Sequence, residues 1–470
     1  MMPIIIWMLS VPLAALALIF LLGHDFSRKI ATASTFLGLM LTLFVLVVSI
    51  ADHGVNVAEA YPYIGSLMIS LSFRINAVSL VLLLMSSIVL LAAVIAGNPE
   101  NERQKLSCAL IVLFQIASVG LFTSANLFFF FVFWDVGVIA MFFMINILGS
   151  ANRKNASMNF LVYEVFASAL LLLGILLLYF YTPLHSFDMQ YIIANASRIP
   201  QPTQELIFLV LFLAFMTNMP LFPMHFWLPD AHTEASTQGS MILSGVLTKF
   251  GAFGMLMLFA MLPIASKYAP YAVVLAAVSA FYSVFVLMKQ TDIKRIVAYS
   301  TVVEMGIIMI GIGSLNSFGT YGAVYAMLAQ GLGVSLMFLS VGCLKYTFGE
   351  RDIKVLRGTV VESEFTTYAF IAAAVANLGL PLTAGFVADI LMFMGSVQTF
   401  GLYGALPLIA MILLGAYLYF VINKSMLSSR EHSAAVNFVG DDQHIGYLIL
   451  MAALFLFGIM PFIILNLARL

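Results

Sequence analysis

The chain has 470 residues, of which 63% are hydrophobic and only 9% are charged, and its formal net charge is −1. A soluble domain carries about 25% charged residues, so this composition excludes a soluble protein, and the near-neutral charge excludes nucleic acid as a partner. Cys108 and Cys343 both lie in apolar runs, and they predict neither a metal site nor a disulfide framework. The sequence also contains no phosphate-binding or dinucleotide motif, so we expect no cofactor in this chain.

Apolar runs long enough to span a bilayer, about 20 residues each, recur along the whole chain. They predict an all-α polytopic membrane protein with about fourteen transmembrane helices. The predicted spans are residues 3–22, 31–51, 76–97, 106–123, 126–148, 158–181, 204–219, 239–262, 269–288, 292–313, 319–343, 366–396, 402–423 and 445–467. The first run lacks a basic region before it, which predicts a retained span rather than a cleaved signal peptide.

Basic residues are distributed unevenly over the predicted loops. Loops that follow odd-numbered spans hold fifteen of the 20 Lys and Arg residues, the opposite loops hold four, and Lys249 lies inside a span. Positive charge accumulates on cytoplasmic loops, so both termini are expected to face away from the cytoplasm. The expected location is the inner (plasma) membrane of a prokaryotic cell.

The seventh predicted span ends abruptly. It reaches Asn218 and then meets Pro220 and Pro223. Proline lacks a backbone donor and clashes with the preceding turn, so the helix must break here. Non-helical backbone at membrane depth is tolerated only inside protein or beside a water-filled cavity. The break therefore predicts a pathway for ions.

Four ionisable residues follow the break on what we expect to be a loop. They are His225, Asp230, His232 and Glu234. Their spacing fits no standard metal site, and we assign no metal to them. Two interpretations stay open, namely a loop that exchanges protons at a channel mouth and a structural cap on the broken helix.

The twelfth predicted span is interrupted as well. It contains Gly379, Pro381 and Gly385, followed by Asp389. Two interrupted spans that run in opposite directions indicate inverted-topology repeats. We therefore expect the domains 1–105 (helices 1–3), 106–262 (first repeat, helices 4–8), 263–425 (second repeat, helices 9–13) and 426–470 (helix 14).

Five ionisable residues fall inside predicted spans, namely Asp135, Glu164, Lys249, Glu304 and Asp389. Such residues are costly in a membrane and usually functional. In a row with water they would form a proton relay. An ion pair between Lys249 and one of the acids would instead be structural, and this alternative stays open. Because carboxylates serve protons and sodium alike, the identity of the ion also stays open.

Two long segments resemble the antiporter-like membrane subunits of respiratory complex I, with the NADH-quinone oxidoreductase M (ND four-like) type as the nearest. They are MPLFPMHFWLPDAHTEASTQGSMILSGVLTKFGAFG and QTDIKRIVAYSTVVEMG. Related subunits occur in membrane-bound group-four hydrogenases and Mrp-type antiporters. The resemblance implies two inverted five-helix repeats with broken helices 7 and 12. It also implies partner membrane subunits, and redox cofactors that lie in other subunits.

The resemblance extends to single residues. Asp135 matches the position of the family's helix 5 glutamate, Lys249 matches the helix 8 lysine, and Asp389 matches the ionisable residue of helix 12. These matches imply that the three residues take part in ion transfer.

The sequence departs from the resemblance at three positions. Asn218 stands where the family has a helix 7 lysine, and Glu304 and Gln330 stand where histidine is common. Three functions therefore stay open: a proton-translocating subunit without redox chemistry, an Mrp-type sodium/proton antiporter module, and a structural subunit with a silent half-channel.

Overall fold

The computed structural model describes residues 3–51, 54–64, 69–97, 103–361, 363–428 and 441–468. The first six helices confirm six of the predicted spans, although α2 and α6 begin ahead of the predicted residues 31 and 158. These helices are α1 (Ile4–Leu22), α2 (His24–Ala51), α3 (Ala77–Ile95), α4 (Gln104–Thr123), α5 (Leu127–Leu148) and α6 (Arg153–Tyr181).

The middle of the chain alternates short and long helices. They are α7 (Met189–Asn195), α8 (Gln201–Asn218), α9 (Trp227–Glu234), α10 (Thr237–Ile242), α11 (Thr248–Met261), α12 (Ala265–Leu287) and α13 (Ile293–Gly313). A π-helical turn, Leu243–Leu247, joins α10 to α11.

The last third of the chain is helical as well. Its helices are α14 (Ser317–Phe348), α15 (Glu364–Asn377), α16 (Ala384–Phe400), α17 (Leu406–Val421), α18 (Asp441–Ile459) and α19 (Phe462–Leu465). A second π turn, Ile422–Met426, extends α17. Short 3-10 turns cover Ala196–Arg198, Thr359–Val361, Gly401–Ala405 and Asn466–Ala468.

Eleven helical stretches in the described residues are long and apolar enough to cross a membrane, and a shorter apolar helix covers Gln443–Ile459. This confirms the all-α membrane fold. The count of fourteen and the inverted repeats stay predictions. The core lies around α13 and α14, since 100% and 94% of their most apolar stretches are buried, against 28% for α1.

A two-stranded antiparallel hairpin between α2 and α3 was not predicted. Strand β1 (Val57–Ile64) pairs with β2 (Ile69–Ile75). On β1, the Glu59 carboxylate accepts the backbone N–H groups of Ile5 and Ile6 at 2.8 and 3.2 Å. The first N–H groups of a helix have no partner within the helix, so the hairpin caps the start of α1.

The predicted break in the seventh span is confirmed. Helix α8 ends at Asn218, and Pro220 and Pro223 lie in the non-helical connection to α9. Two of the backbone groups freed by the break find side-chain partners. Trp227 Nε1 donates to the Thr217 carbonyl at 2.9 Å, and the Phe222 N–H donates to Ser279 Oγ at 2.9 Å.

The loop prediction was wrong beyond this connection. Asp230, His232 and Glu234 lie on helix α9, and only His225 remains in the connection. Pro229 falls in the first turn of α9. Proline is tolerated there, because the N–H groups of that turn have no helical partner anyway.

The predicted break in the twelfth span is confirmed as well. Helix α15 ends at Asn377, and Gly379 follows with φ of +64°. The Leu380 N–H donates to the Val375 carbonyl at 3.3 Å, a bond that commonly closes a helix with a left-handed glycine. The exposed Pro381 follows and cannot continue the helix.

Candidate functional site

The structure places all five ionisable residues of the predicted spans inside the helical bundle. Glu164 and Lys249 are fully buried, and Glu304 is 8% exposed. Asp135 and Asp389 are half-buried. Ionisable groups in the hydrocarbon region usually face the bundle interior or a cavity, and these positions agree with that rule.

Two acids meet in the first half of the chain, between α5 and α6. Ser168 Oγ donates to Asp135 Oδ1 at 2.5 Å. Glu164 lies one turn before Ser168 on α6 and therefore on the same helix face. The serine hydroxyl thus brings the half-buried Asp135 next to the fully buried Glu164.

Asn218, at the end of α8, connects Glu164 to another helix. Its Nδ2 donates to Glu164 Oε2 at 3.1 Å, and its Oδ1 accepts the N–H of Gly251 on α11 at 2.8 Å. A Cβ on Gly251 would collide with the backbone of Phe215 and Met219, so glycine permits this close approach. The resemblance implies a lysine at position 218, whereas here an asparagine stands there with Glu164 as its partner.

Lys249 lies at the start of α11, directly after the π turn. Its Nζ donates to the Ser244 carbonyl at 2.7 Å and to Gln330 Oε1 on α14. Both acceptors are neutral. Lys249 forms no ion pair within the described residues, although Glu304 lies within electrostatic range.

The acids of the second half face a small cavity. Its volume is about 30 Å³, measured as the space open to the centre of a water molecule, and Glu304, Gln330, Asn377 and Asp389 supply its polar lining. A polar cavity of more than about 10–15 Å³ by this measure can hold a water molecule. Water in this cavity would connect side chains that make no direct contact.

Several polar atoms of this lining lack a hydrogen-bond partner among the described residues. They are both carboxylate oxygens of Glu304, Oδ2 of Asp389, Oδ1 of Asn377 and Nε2 of Gln330. Buried polar groups are normally hydrogen-bonded, so these atoms indicate a place for water or protons.

His225 and His232 are buried among aromatic rings. The His225 ring centroid lies 5.4 Å from that of Tyr282, and the His232 ring stacks on Phe338 at 4.3 Å. Neither imidazole has a hydrogen-bond partner among the described residues. Both imidazoles are therefore packed inside the protein, His225 in the connection and His232 on α9.

Asp230, in the first turn of α9, and Glu234, at its end, make structural contacts. Asp230 pairs with Arg295 at 2.6 Å. Glu234 accepts the Ser150 hydroxyl at 2.8 Å and the Asn152 N–H at 3.0 Å. These bonds tie α9 to α13 and to the start of α6. A polar surface pocket of about 470 Å³ opens beside them.

Lys294, in the first turn of α13, is a buried cation outside the predicted relay. It is 5% exposed, and its Nζ donates to the Ala235 carbonyl at 2.6 Å. Arg351 Nη1 donates to the Thr233 carbonyl at 2.6 Å. Cations stabilise the negative end of a helix, so the two residues cap the C-terminus of α9. No sequence pattern predicts that Lys294 contacts the backbone carbonyl of a residue 59 positions away.

Comparison with known proteins gives a consistent result. The sequence profile of the family described as NADH:quinone oxidoreductase/Mrp antiporter, TM, matches residues 124–418. The chain is 30% identical over 447 residues to NADH-quinone oxidoreductase subunit M of Rickettsia typhi, which covers 93% of this chain and 89% of that protein. It is also 30% identical over 444 residues to F(420)H(2) dehydrogenase subunit M of Methanosarcina mazei, with coverage of 91% and 88%.

The fold is similar to that of a chain in respiratory complex I from Thermus thermophilus with bound NADH. The TM-score is 0.89 at 23% sequence identity, and the match covers 99% of this chain and 97% of that chain.

Proposed function

Because this chain belongs to the NADH:quinone oxidoreductase/Mrp antiporter membrane family, we propose that it translocates protons, without redox chemistry of its own, in a multi-subunit redox complex. It is an antiporter-like membrane subunit of complex I-like and related complexes. Its partners are the other membrane subunits of such a complex and the lipid bilayer. The redox cofactors are assigned to partner subunits.

The observation that carries this proposal is the set of buried acids around a cavity in the second half. Glu304 and Asp389 present oxygens that lack partners among the described residues, and both line a cavity large enough for water. A carboxylate can take a proton from such a water and return it to another. Lys249 supplies the cation next to this group.

The first half offers a second, shorter set of proton-binding groups. The Ser168 hydroxyl donates to Asp135 at 2.5 Å, and a hydroxyl can both accept and donate a hydrogen bond. Glu164 lies deeper, at the point where Asn218 holds one of its oxygens. We assign Asp135 and Glu164 to proton exchange in this half, and Lys249 to the connection between the halves.

The central test replaces Lys249 by alanine in the assembled complex, reconstituted into vesicles. Proton transfer per redox turnover should fall at least about tenfold, because a positioned acid–base group contributes about 10²–10⁴ in rate. Glu304→Gln, which keeps the side-chain shape, should give a similar loss. The matched control is Lys267→Ala, which removes an exposed ion pair with Glu205 and should leave transfer unchanged.

The outcomes separate the three functions. Normal proton transfer by an assembled Lys249→Ala complex contradicts the relay. Failure to assemble, with normal transfer by Glu304→Gln, supports a structural subunit. If driven transport stops when choline replaces sodium in the vesicles, the sodium-linked antiporter is the better description.

We further propose that both termini lie on the side of the inner membrane away from the cytoplasm. The bias of basic residues over the loops supports this orientation; Arg430 and Arg469, which contribute to the count, lie outside the described residues. In intact cells, Glu350→Cys should resist a membrane-impermeant thiol reagent, and Leu402→Cys, at an 89% exposed position, should react. The reverse pattern contradicts the orientation.

A further inference from the structure

Gln330 on α14 stands between Lys249 and the cavity of the second half. Its Oε1 accepts a hydrogen bond from Lys249 Nζ. The other end of the same amide, Nε2, has no partner among the described residues. Gln330 is 5% exposed and lines the cavity together with Glu304 and Asp389. One side chain therefore separates the buried cation from the two acids.

An amide is a poor link in a proton relay. Its oxygen accepts and its NH₂ group donates, but it neither gains nor loses a proton in the range where carboxylates and lysine do. The second acceptor of Lys249, the Ser244 carbonyl, shares this property. With Gln330 as observed, a proton on Lys249 has no direct path to Glu304.

The amide of Gln330 is held at only one end. Asn218, by comparison, is bonded at both ends, to Glu164 and to Gly251. Gln330 has one direct hydrogen bond, to Lys249, a weaker contact with Glu304, and a cavity beside it. Reorientation of Gln330 breaks its hydrogen bond to Lys249, and the cavity beside it offers space towards which the amide can turn.

We propose that Gln330 is a gate for proton transfer between Lys249 and the acids of the second half. In the observed orientation, the closed gate holds Lys249 away from the cavity. Rotation of the Gln330 side chain opens the gate, because Lys249 Nζ then meets cavity water and, through it, Glu304. Gln330 is a positioning residue, and its role rests on the proposed function, since the gate controls that transfer.

Two substitutions at position 330 should act in opposite directions on passive proton flow. Gln330→Ala removes the amide and enlarges the cavity towards Lys249. Vesicles with the reconstituted complex, given a pH gradient but no redox substrate, should leak protons on the order of tenfold faster, which corresponds to a barrier lowered by about 1.4 kcal/mol. Gln330→Leu fills the same space without a polar group. It should leave the leak at the wild-type level and decrease redox-driven transfer.

A matched control is available on α4. Gln115 is also a buried glutamine, 3% exposed, but Ser34 Oγ donates to its Oε1 at 3.0 Å, and it lies outside the cavity lining. Gln115→Ala and Gln115→Leu should leave both the leak and the driven transfer unchanged. A leak caused by a loosened bundle would appear in the Gln115 variants as well.

Each outcome decides the proposal. Equal loss of transfer in both Gln330 variants, or no change in either, overturns the gate. If Lys249→Ala stops driven transfer while Gln330→Ala does not leak, the gate is wrong and the proposed function stands. Should Gln330→Ala fail to assemble, Gln330→Asn replaces it; this shorter amide cannot keep the bond to Lys249 from the same backbone position, and it should leak too.

Discussion

Two helices of this chain are broken, and the acids next to the two breaks differ in their hydrogen-bond partners. At the first break, the Glu164 carboxylate accepts a bond from Asn218, which is itself bonded to the backbone of α11. At the second break, Asp389 Oδ2 has no partner among the described residues. The first connection is braced by the buried Trp227, whereas Leu382 in the second is 63% exposed.

This difference means that Glu164 is held by a bonded amide, whereas Glu304 and Asp389 are free to exchange hydrogen-bond partners. Glu164 Oε2 can change its partner only when a bonded amide moves with it, although Glu164 Oε1 has no hydrogen-bond partner among the described residues. Glu304 and Asp389 border a cavity that can hold water, so they can exchange partners while the helices stay in place. One architecture thus supports a braced first half and an adaptable second half.

The largest effect on stability should come from replacing Trp227, which braces the first connection. Trp227 is fully buried, packs against Phe160 at 5.3 Å, and satisfies the Thr217 carbonyl. Trp227→Ala should lower the free energy of unfolding by about 3–5 kcal/mol. Leu382→Ala at the exposed second break should change it by less than about 0.5 kcal/mol. Denaturant unfolding of the full chain in detergent measures both, and equal losses would remove the contrast.

Asn218→Leu should be nearly as damaging. The change keeps the approximate volume but leaves Glu164 Oε2 and the Gly251 N–H without partners. Each unsatisfied buried group costs about 1–3 kcal/mol, so we expect a loss of about 3 kcal/mol in the free energy of unfolding. The control is Asn146→Leu, which removes a part-buried amide bonded to Ser157 at 2.8 Å. A loss below about 1 kcal/mol at position 218 would show that Glu164 does not depend on Asn218.

A pair of glycine substitutions should sharpen the comparison. At Gly251, a Cβ would collide with backbone atoms of Phe215 and Met219, so Gly251→Ala should cost about 2–3 kcal/mol through overpacking. At Gly379, a Cβ would collide with the Asp389 carboxylate, the mobile end of a side chain. Gly379→Ala should therefore cost only about 1 kcal/mol, for its left-handed backbone. Melting temperatures of the two variants test this order, and the reverse order contradicts it.

Among the site residues, the smallest effect on stability should come from Asp135→Asn. The amide oxygen can still accept the Ser168 hydroxyl, and the side chain is only half-buried. The free energy of unfolding should change by less than about 1 kcal/mol. The same variant shows in the vesicle assay whether the first half carries protons. A loss of several kcal/mol would instead assign Asp135 to the braced part of the structure.

Much of the fold could be predicted because a helix in a membrane shows itself in the local sequence. The apolar runs gave the positions of α1 to α6, and Pro220, Pro223 and Pro381 gave both breaks. The hairpin was missed, because alternating strands with a charged residue such as Glu59 do not resemble a long apolar run. Helix α9 was missed because it follows the break closely and contains Pro229, although proline fits the first turn of a helix.

The members of the candidate site could be predicted better than their contacts. Ionisable residues stand out in an apolar run, and Glu164, Lys249 and Glu304 are indeed buried. Their partners are remote in the sequence: Asn218 is separated from Glu164 by 54 positions, and Gln330 from Lys249 by 81. Such pairs depend on which helix faces meet, and residue spacing within one helix does not determine that.

The π turn Leu243–Leu247 determines the direction in which Lys249 leaves its helix. A π turn holds one residue more than an α-helical turn, and each residue turns an α-helix by about 100°. Deleting Val246 would therefore turn Lys249 away from Gln330 although the lysine itself is kept. The direction in which Lys249 points therefore depends on the length of this segment as well as on the amino acid at position 249.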